Sequence, residues 1–507
     1  MTPLRYYLRI ACLIAIACLV TVPAPAQELL SRFEENVTEF TIENGLTFVV
    51  FERHEAPVVS FYTYADVGGV DEVKGITGMA HMFEHMAFKG TDTIGSKDLE
   101  KELAAMQVVD EAYGALKASL WSSSDSATVA QHESAFESAK EAAAAWVENG
   151  EFEKVIERAG GTGLNAGTSA DATLYFYSLP ANKTELWFSL ESDRFLNPVL
   201  REFYVERDVV MEERRMRTES NPVGRLVEEF LATAYKAHPY GEPVIGHMSD
   251  LQSFTREEAV DFFEKYYGAS NLTIAIVGSV DPAEVRDLAE KYFGRLAGGS
   301  PPDPVETVEP PQIAERRVVI EEATQPFLIV GYHKVSGLHP DDAVFSVLSD
   351  ILSTGRTSRY YKKLVEEDKL ALQVSAINGF PGDKYPNMFL LFAVPTQGHT
   401  PAELEEALYE VLDDIRENGV TEQELERAKT RARAGLLRSL QSNSGLAGSL
   451  AYYEAVTGDW RNLFRAIDRI QAVEADDVVR VVTDSFTKSN RTVGMIQTAS
   501  EESNSDE

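Results

Sequence analysis

At 507 residues, with 44% apolar and 25% charged positions, the chain is long enough for two to four structural units and has the composition of a soluble globular protein. Its 47 basic residues face 81 acidic ones, a net charge of −34, and so negative a surface repels phosphate backbones and anionic lipid. The charge therefore argues against nucleic acid and membrane surfaces as partners.

In chain order, the first signal is Arg5 and Arg9, then an apolar run over residues 10–22, then Ala24-Pro25-Ala26. This order of basic, apolar and small-residue segments is that of a cleaved secretory signal, and the run is well short of the roughly 20 apolar residues that span a bilayer. Residues 1–26 are read as a signal peptide. The mature protein is then exported, to the periplasm by preference and to the medium as second choice, with no stable membrane insertion. Both cysteines, Cys12 and Cys18, fall in this segment. The mature chain then has no thiol, and any metal site must be built from His, Asp and Glu.

Residues 46–67 read as two strands joined by a polar turn. Residues 75–90, GITGMAHMFEHMAFKG, predict a helix bounded by glycines. His81, Glu84 and His85 stand at i, i+3 and i+4 and so share one face, while Met82, Phe83 and Met86 point elsewhere and can pack. Two imidazoles four residues apart can take neighbouring corners of a tetrahedral zinc site, and a glutamate between them can act on a bound water. The chain has only nine histidines, so this H-x-x-E-H pattern seldom arises by chance.

Residues 99–148 are rich in Ala, Glu and Lys and are interrupted by SSSDSA at 122–127, which predicts a helical hairpin. Zinc in a catalytic site needs a third protein ligand, and residues 201–217, REFYVERDVVMEERRMR, offer candidates on a second helix. Glu206, Val209, Val210 and Glu213 form one stripe, whereas Asp208 and Glu212 lie among arginines, where a solvated face accounts for them. Glu206 and Glu213 are two turns apart, about 10.5 Å along the axis, so only one can ligate and the other would support the site. The competing reading is ion pairing of both acids to Arg207, Arg214 or Arg215. His238 and His247 read as loop or packing residues.

Residues 271–278, NLTIAIVG, predict a short apolar strand. Residues 297–312, dominated by Gly, Pro and acid, mark a linker. Beyond it, residues 316–335 repeat the two-strand texture of 46–67, and residues 491–497 repeat that of 271–278. A duplicated α+β unit is the economical reading: residues 27–296, then 313–497, each a sheet with helices. The last ten residues, TASEESNSDE, predict a disordered acidic tail.

The runs GITGMAHMFEHMAFKGT, GGTGLNAGTSADATLYFY and ERDVVMEE, in this order, resemble the three active-domain signatures of the pitrilysin/insulinase family of zinc metallopeptidases, in its bacterial two-domain, processing-peptidase-like form. The resemblance spans essentially the whole mature chain. It implies two homologous domains closing like a clam-shell, the first catalytic and the second inactive, with the helical hairpin as an insertion in the first. It also implies Glu213 as third zinc ligand beside His81 and His85, Glu206 as the supporting acid, Glu84 as catalytic base, and Asn165 and Ala166 on an edge strand that lays out the peptide substrate. An exposed sheet edge suits that role, since β-augmentation tolerates many sequences. The competing reading of Asn165 is a turn residue after Gly160-Gly161.

Two features depart from the resemblance. The interval from His85 to Glu213 is lengthened by the hairpin, which either gates the cleft, docks a partner or is inert. In LVEEDKLAL, Val365 and Leu372 stand where active relatives commonly place an arginine and a tyrosine near the substrate. Arg356, Arg359, Tyr360 and Tyr361 are substitutes on paper, though a charged helix start with two packed aromatics describes them better. The expected function is therefore zinc-dependent endopeptidase action on peptides or unfolded segments, in a heterodimer with a homologous subunit or in a homodimer. The rival readings are a non-catalytic assembly or chaperone-like subunit and a metal-dependent hydrolase of another substrate.

Overall fold

A computed structural model describes residues 30–498, apart from 32, 123 and 124. The segment read above as a signal peptide and the tail beyond Thr498 lie outside the described residues. Thr498 itself, counted above with the tail, ends the last strand.

The N-terminal half forms a six-stranded sheet from β1 (Val37–Thr41), β2 (Thr47–Glu52), β3 (Val58–Ala65), β4 (Thr162–Thr168), β5 (Thr173–Pro180) and β6 (Leu272–Gly278). Their spatial order is β1-β2-β6-β3-β5-β4. Helix α1 (Met79–Met86) follows β3, and α2 (Leu99–Trp121), α3 (Ser126–Ala144) and α4 (Glu151–Arg158) lead on to β4. Between β5 and β6 run α5 (Thr184–Leu196), α6 (Phe203–Arg214), α7 (Pro222–Ala234), α8 (Met248–Ser253) and α9 (Arg256–Tyr266), and α10 (Pro282–Phe293) comes last. No helix or strand forms over residues 297–312.

The C-terminal half builds a five-stranded sheet from β7 (Arg316–Glu322), β8 (Phe327–Lys334), β9 (Ala371–Phe380), β10 (Asn387–Pro395) and β11 (Arg491–Thr498), in the order β7-β11-β8-β10-β9. Helix α11 (Asp342–Ser353) follows β8, and α12 (Pro401–Asn418), α13 (Glu422–Ser439), α14 (Asn443–Thr457), α15 (Asn462–Ala472) and α16 (Ala475–Ser485) fill the interval from β10 to β11. Without β1, the two sheets correspond strand for strand, each with one parallel pair (β2 with β6, β7 with β11) and antiparallel pairing elsewhere. The α+β duplication read from the sequence is thus a duplication of topology. The two strands of residues 46–67 form as predicted, but they do not pair with each other, because β6 lies between β2 and β3.

Each sheet has its own core. Phe48, Phe61, Trp187, Phe188 and Phe293 pack under the first, with Phe61 stacked on Trp187 at 4.5 Å between ring centres. Phe345, Phe389 and Phe486 do the same under the second. The opposite face of each sheet is covered by a helix from the other half: α14 packs on β3 and β6, and α7 packs on β7 and β11. That exchange explains why β6 is buried along its whole length and reads as an unbroken apolar run. Contact on the second sheet is close, since a Cβ at Gly331 would lie 2.7 Å from the Phe230 ring. The halves are also tied through Asp171 in the β4–β5 turn. Its carboxylate accepts the Tyr240 hydroxyl and the backbone N–H groups of Asp383 (2.6 Å) and Lys384 (3.1 Å).

The predicted hairpin is α2 and α3, packed on each other, with Asp98 and Asp125 capping their starts. It is seated on the N-terminal half. The fully buried Arg201 guanidinium donates from Nε to Glu102 Oε1 of α2 at 2.7 Å, and Tyr113 donates to the Gln252 carbonyl at 2.6 Å. Among the described residues, no helix is long and apolar enough to cross a membrane.

Candidate metal centre

Helix α1 is only eight residues long and starts after Gly78, which sits at φ 93°, a left-handed conformation that favours glycine. Gly78 has no side chain with which to cap the helix. The free N–H groups are met instead by Glu72, whose two carboxylate oxygens accept from Gly78 N and Ala80 N, both at 2.7 Å. Glu72 is 8% exposed, and burial pushes its carboxyl well above the usual range against the pull of those two N–H groups. The preceding loop is held by Asp250 Oδ2, which accepts from Gly75 N, Thr77 N and the Thr77 hydroxyl. Partial burial opposes ionisation of Asp250, but these donors outweigh it and hold the carboxyl below its ordinary value. Neither clamp was visible in the sequence, where Glu72 and Asp250 are acids in unpatterned loops.

On this helix Met82, Phe83 and Met86 enter the core, which turns His81, Glu84 and His85 toward α6 and β4. His81 Nε2 lies 3.7 Å and His85 Nε2 3.3 Å from the same oxygen of Glu213, Oε2. One ligand atom from each of these three residues lies within 4.8 Å of the others. His85 Nδ1 faces Glu206 Oε2 at 3.4 Å, and Glu206 Oε1 is 2.5 Å from Lys89 Nζ, which also reaches Glu202 at 3.0 Å. Glu213 and Glu206 thus take different places, as the two-turn spacing requires: one where both imidazoles converge, the other behind His85.

Two neutral imidazoles and a carboxylate oxygen converging on one point are a donor set that suits a borderline divalent ion such as zinc. The Nδ1 atom of His81, a residue 6% exposed, is buried without a hydrogen-bond partner among the described residues. Burial and the neighbouring His85 hold the His81 imidazole below its ordinary pKa against the pull of Glu213 and Glu84, which favours the neutral, ligating form. Burial acts likewise on His85, but Glu206, Glu213 and Glu84 outweigh it and leave that imidazole raised. Burial also works against ionised Glu206, yet His85 and Lys89 hold it below the carboxylate norm. The carboxylate of Glu84 has no hydrogen bond or ion pair among the described residues, and it lines the open cavity beside His85.

The arginines offered as alternative partners for these acids are engaged elsewhere. Arg214 pairs with Glu228, Arg215 with Glu212, and Arg207 lies over the Tyr113 ring beside Asp208. Glu213 does pair with Arg217 through its other oxygen at 2.8 Å. One expectation is corrected: Val209 is 46% exposed while Val210 is fully buried, so the inward stripe of α6 is Glu206, Val210 and Glu213.

Asn165 and Ala166 lie on β4 opposite Phe176 and Tyr175, so Asn165 is a strand residue and not a turn residue. β4 is the outer strand of its sheet and packs against α1. In the C-terminal half, Val365 packs against the core and Leu372 is 62% exposed on the outer strand β9. Arg359 is bound to Asp414 and Glu424, and Tyr360 is fully buried. His238 accepts from Tyr240 N and His247 pairs with Glu242, and neither belongs to the group of ligand atoms that converge with His81 and His85.

A duplicated α+β fold carrying H-x-x-E-H beside a glutamate-bearing helix defines a class, that of the inverzincin metallopeptidases. The chain belongs to the pitrilysin/insulinase (M16) family of zinc metallopeptidases. The family model described as Insulinase (Peptidase family M16) matches residues 48–117 and 141–247, and the one described as Peptidase M16 inactive domain matches residues 253–432. The unmatched gap between 117 and 141 falls within the α2–α3 hairpin. A protein of Helicobacter pylori called zinc protease PqqE is 28% identical over 469 residues, covering 91% of this chain and 92% of that one. A crystal structure of a protease from Helicobacter pylori superposes with TM-score 0.75 at 26% identity over 91% of this chain and 99% of that one. The periplasmic protease PqqL of Escherichia coli shares the fold alone, with TM-score 0.67 at 16% identity over 92% of this chain and 48% of that chain.

Proposed function

We propose that the protein is an exported zinc endopeptidase acting on peptides and unfolded segments, with residues 27–296 as its catalytic domain, 297–312 as linker and 313–497 as its inactive partner domain. The observation that carries this reading is the convergence of His81, His85 and Glu213 on one point with an unpartnered Glu84 beside it. His81, His85 and Glu213 hold the metal. When bound, zinc acidifies its water and polarises the scissile carbonyl. Glu84 receives the proton of the attacking water and passes it to the leaving amine. Glu206 orients His85 through Nδ1, and Lys89 fixes Glu206 in turn. The substrate adds as a strand to the free edge of β4 at Asn165 and Ala166, beside α1. Export rests on the signal-like residues 1–26.

These roles rank the acids of α6. Glu213→Gln weakens zinc binding most, Glu206→Gln weakens it less, on the order of 10-fold through the lost orientation of His85, and Glu212→Gln changes little. Competitive chelator titration of the three variants measures the order. If Glu212→Gln were the most damaging, the register of α6 would not be the one described.

The second half bears on partnership. Peptide hydrolysis builds negative charge on the carbonyl oxygen, and one missing donor costs roughly 100-fold or more in rate. Val365 and Leu372 supply no such donor, Arg359 is committed to two carboxylates, and Tyr360 is buried. A homologous second chain that carries an arginine and a tyrosine there completes the cleft, so hydrolysis by this chain alone is expected to be slow and by the heterodimer faster. Light scattering on protein from its native source, followed by a peptidase assay, tests this. A fully active monomer or homodimer would contradict it and would show that Arg356, which is exposed, or Tyr361, which is half-buried, already fills the role.

A further inference from the structure

The converging residues stand on two helices, His81 and His85 on α1 and Glu213 on α6, so the metal centre lasts only while those helices keep their relative placement. Glu213 stands where the winding of its helix changes. Arg214 ends α6, and a wider π-turn runs on over Arg215–Glu219. Contacts from outside the helix must therefore help to fix the place of the Glu213 carboxylate.

Arg214 supplies such contacts. Its side chain is buried, with the residue 6% exposed. Nη1 donates to the Gly246 carbonyl at 2.7 Å and to Glu228 Oε2 at 2.9 Å, while Nη2 donates to Glu228 Oε1 at 2.8 Å. Both ends of this strut rest on packed structure. Gly246, at φ 84°, lies against the turn that precedes α1, where a Cβ would fall 2.1 Å from the Thr77 carbonyl oxygen. A Cβ on Gly78 would likewise fall 2.6 Å from the Ile245 carbonyl oxygen, and His247 N donates to the Thr77 hydroxyl at 2.9 Å. There is no slack between this loop and Gly78, the residue from which α1 starts. At the other end, Glu228 belongs to α7, which is seated on β7 and β11 of the second half.

We propose that Arg214 is a positioning residue for the metal centre. It ties the end of α6 that bears Glu213 to the loop against which α1 starts, and so holds the Glu213 carboxylate where both imidazoles reach it. The proposal rests on the reading of His81, His85 and Glu213 as the zinc ligands. Arg214 is not one of the converging residues and acts through Glu213 and α1. A guanidinium suits the task, because its planar fork gives two parallel N–H bonds to a carboxylate and a further one to a carbonyl. Lysine keeps the charge but has a single nitrogen to share among these acceptors.

The test measures zinc affinity by chelator competition, the visible spectrum of the cobalt-substituted protein, and thermal unfolding of the metal-free form, all on the full chain. Arg214→Lys is expected to weaken zinc binding by about tenfold, the scale of a lost support behind a ligand, and to alter the cobalt spectrum. In the zinc-saturated variant kcat falls while KM changes little. Glu228→Gln acts in the same direction but less strongly. The double variant binds zinc no more weakly than Arg214→Lys alone, since both changes break one strut. Lys334→Met breaks the buried ion pair with Asp342 in the second half, and it should lower the unfolding temperature without moving zinc affinity. Wild-type zinc affinity and cobalt spectrum in folded Arg214→Lys overturn the proposal, as does an equal loss of affinity in Lys334→Met. Where Arg214→Lys does not fold, Glu228→Gln decides, and unchanged affinity and spectrum there overturn the proposal too. A wild-type chain that binds no zinc overturns the metal-centre reading and the proposal with it.

Discussion

Glu84→Gln is expected to lower peptide hydrolysis by roughly two to four orders of magnitude while leaving the metal content unchanged. The separation follows from where the side chain stands. Three ligand atoms converge without Glu84, which lies one helical turn from His81 and adjacent to His85 with its carboxylate free. Gln keeps the shape of the side chain but cannot accept the proton of the attacking water. Since Glu84 makes no side-chain hydrogen bond among the described residues, the substitution leaves no buried partner stranded and should not disturb α1. Metal analysis and a hydrolysis assay on the same preparation check it. Undiminished turnover would remove the peptidase chemistry from this site, and loss of metal would place Glu84 among the ligands.

His81→Ala and His85→Ala are expected to lose metal and activity together, because each removes one of only three protein donors. The two variants should differ in what else they lose. His81 is buried between Ala80 and Met82 in the core of α1, so its removal also opens a hole in the packing. His85 is only partly buried, and its loss leaves Glu206 with Lys89 as its remaining partner. Thermal unfolding of the metal-free variants separates packing from ligation, with His81→Ala the less stable of the pair. The same residues set a pH dependence. Zinc must displace the proton that Glu206, Glu213 and Glu84 hold on His85, so the apparent affinity is full above the raised His85 pKa. It weakens by about tenfold per pH unit below that value.

The parts of this structure legible in the sequence are local. The spacing of His81, Glu84 and His85 on a 3.6-residue period, the helical hairpin and its break, and the apolar run of β6 depend on near neighbours. The duplication was legible because the order of strands repeats. What was not legible depends on residues far apart in the chain. The insertion of β6 between β2 and β3, and the exchange of α7 and α14 between the sheets, pair segments separated by hundreds of positions. The Glu72 clamp on α1 and the Lys89 hold on Glu206 follow from tertiary placement, and no local pattern marks Glu72 or Lys89 for these roles. Val209 shows the limit of periodicity, since position on a helix face does not say how far the neighbouring elements extend over it.

The most direct test is to strip the full-length protein with a chelator and follow peptide hydrolysis as zinc is added back. The expected result is no hydrolysis in the stripped protein and a rise that saturates at about one zinc per chain, as a site of His81, His85 and Glu213 requires. Hydrolysis that survives chelation, or that stays absent at every ratio of zinc to protein with the homologous partner present, would contradict a zinc peptidase centre at these residues.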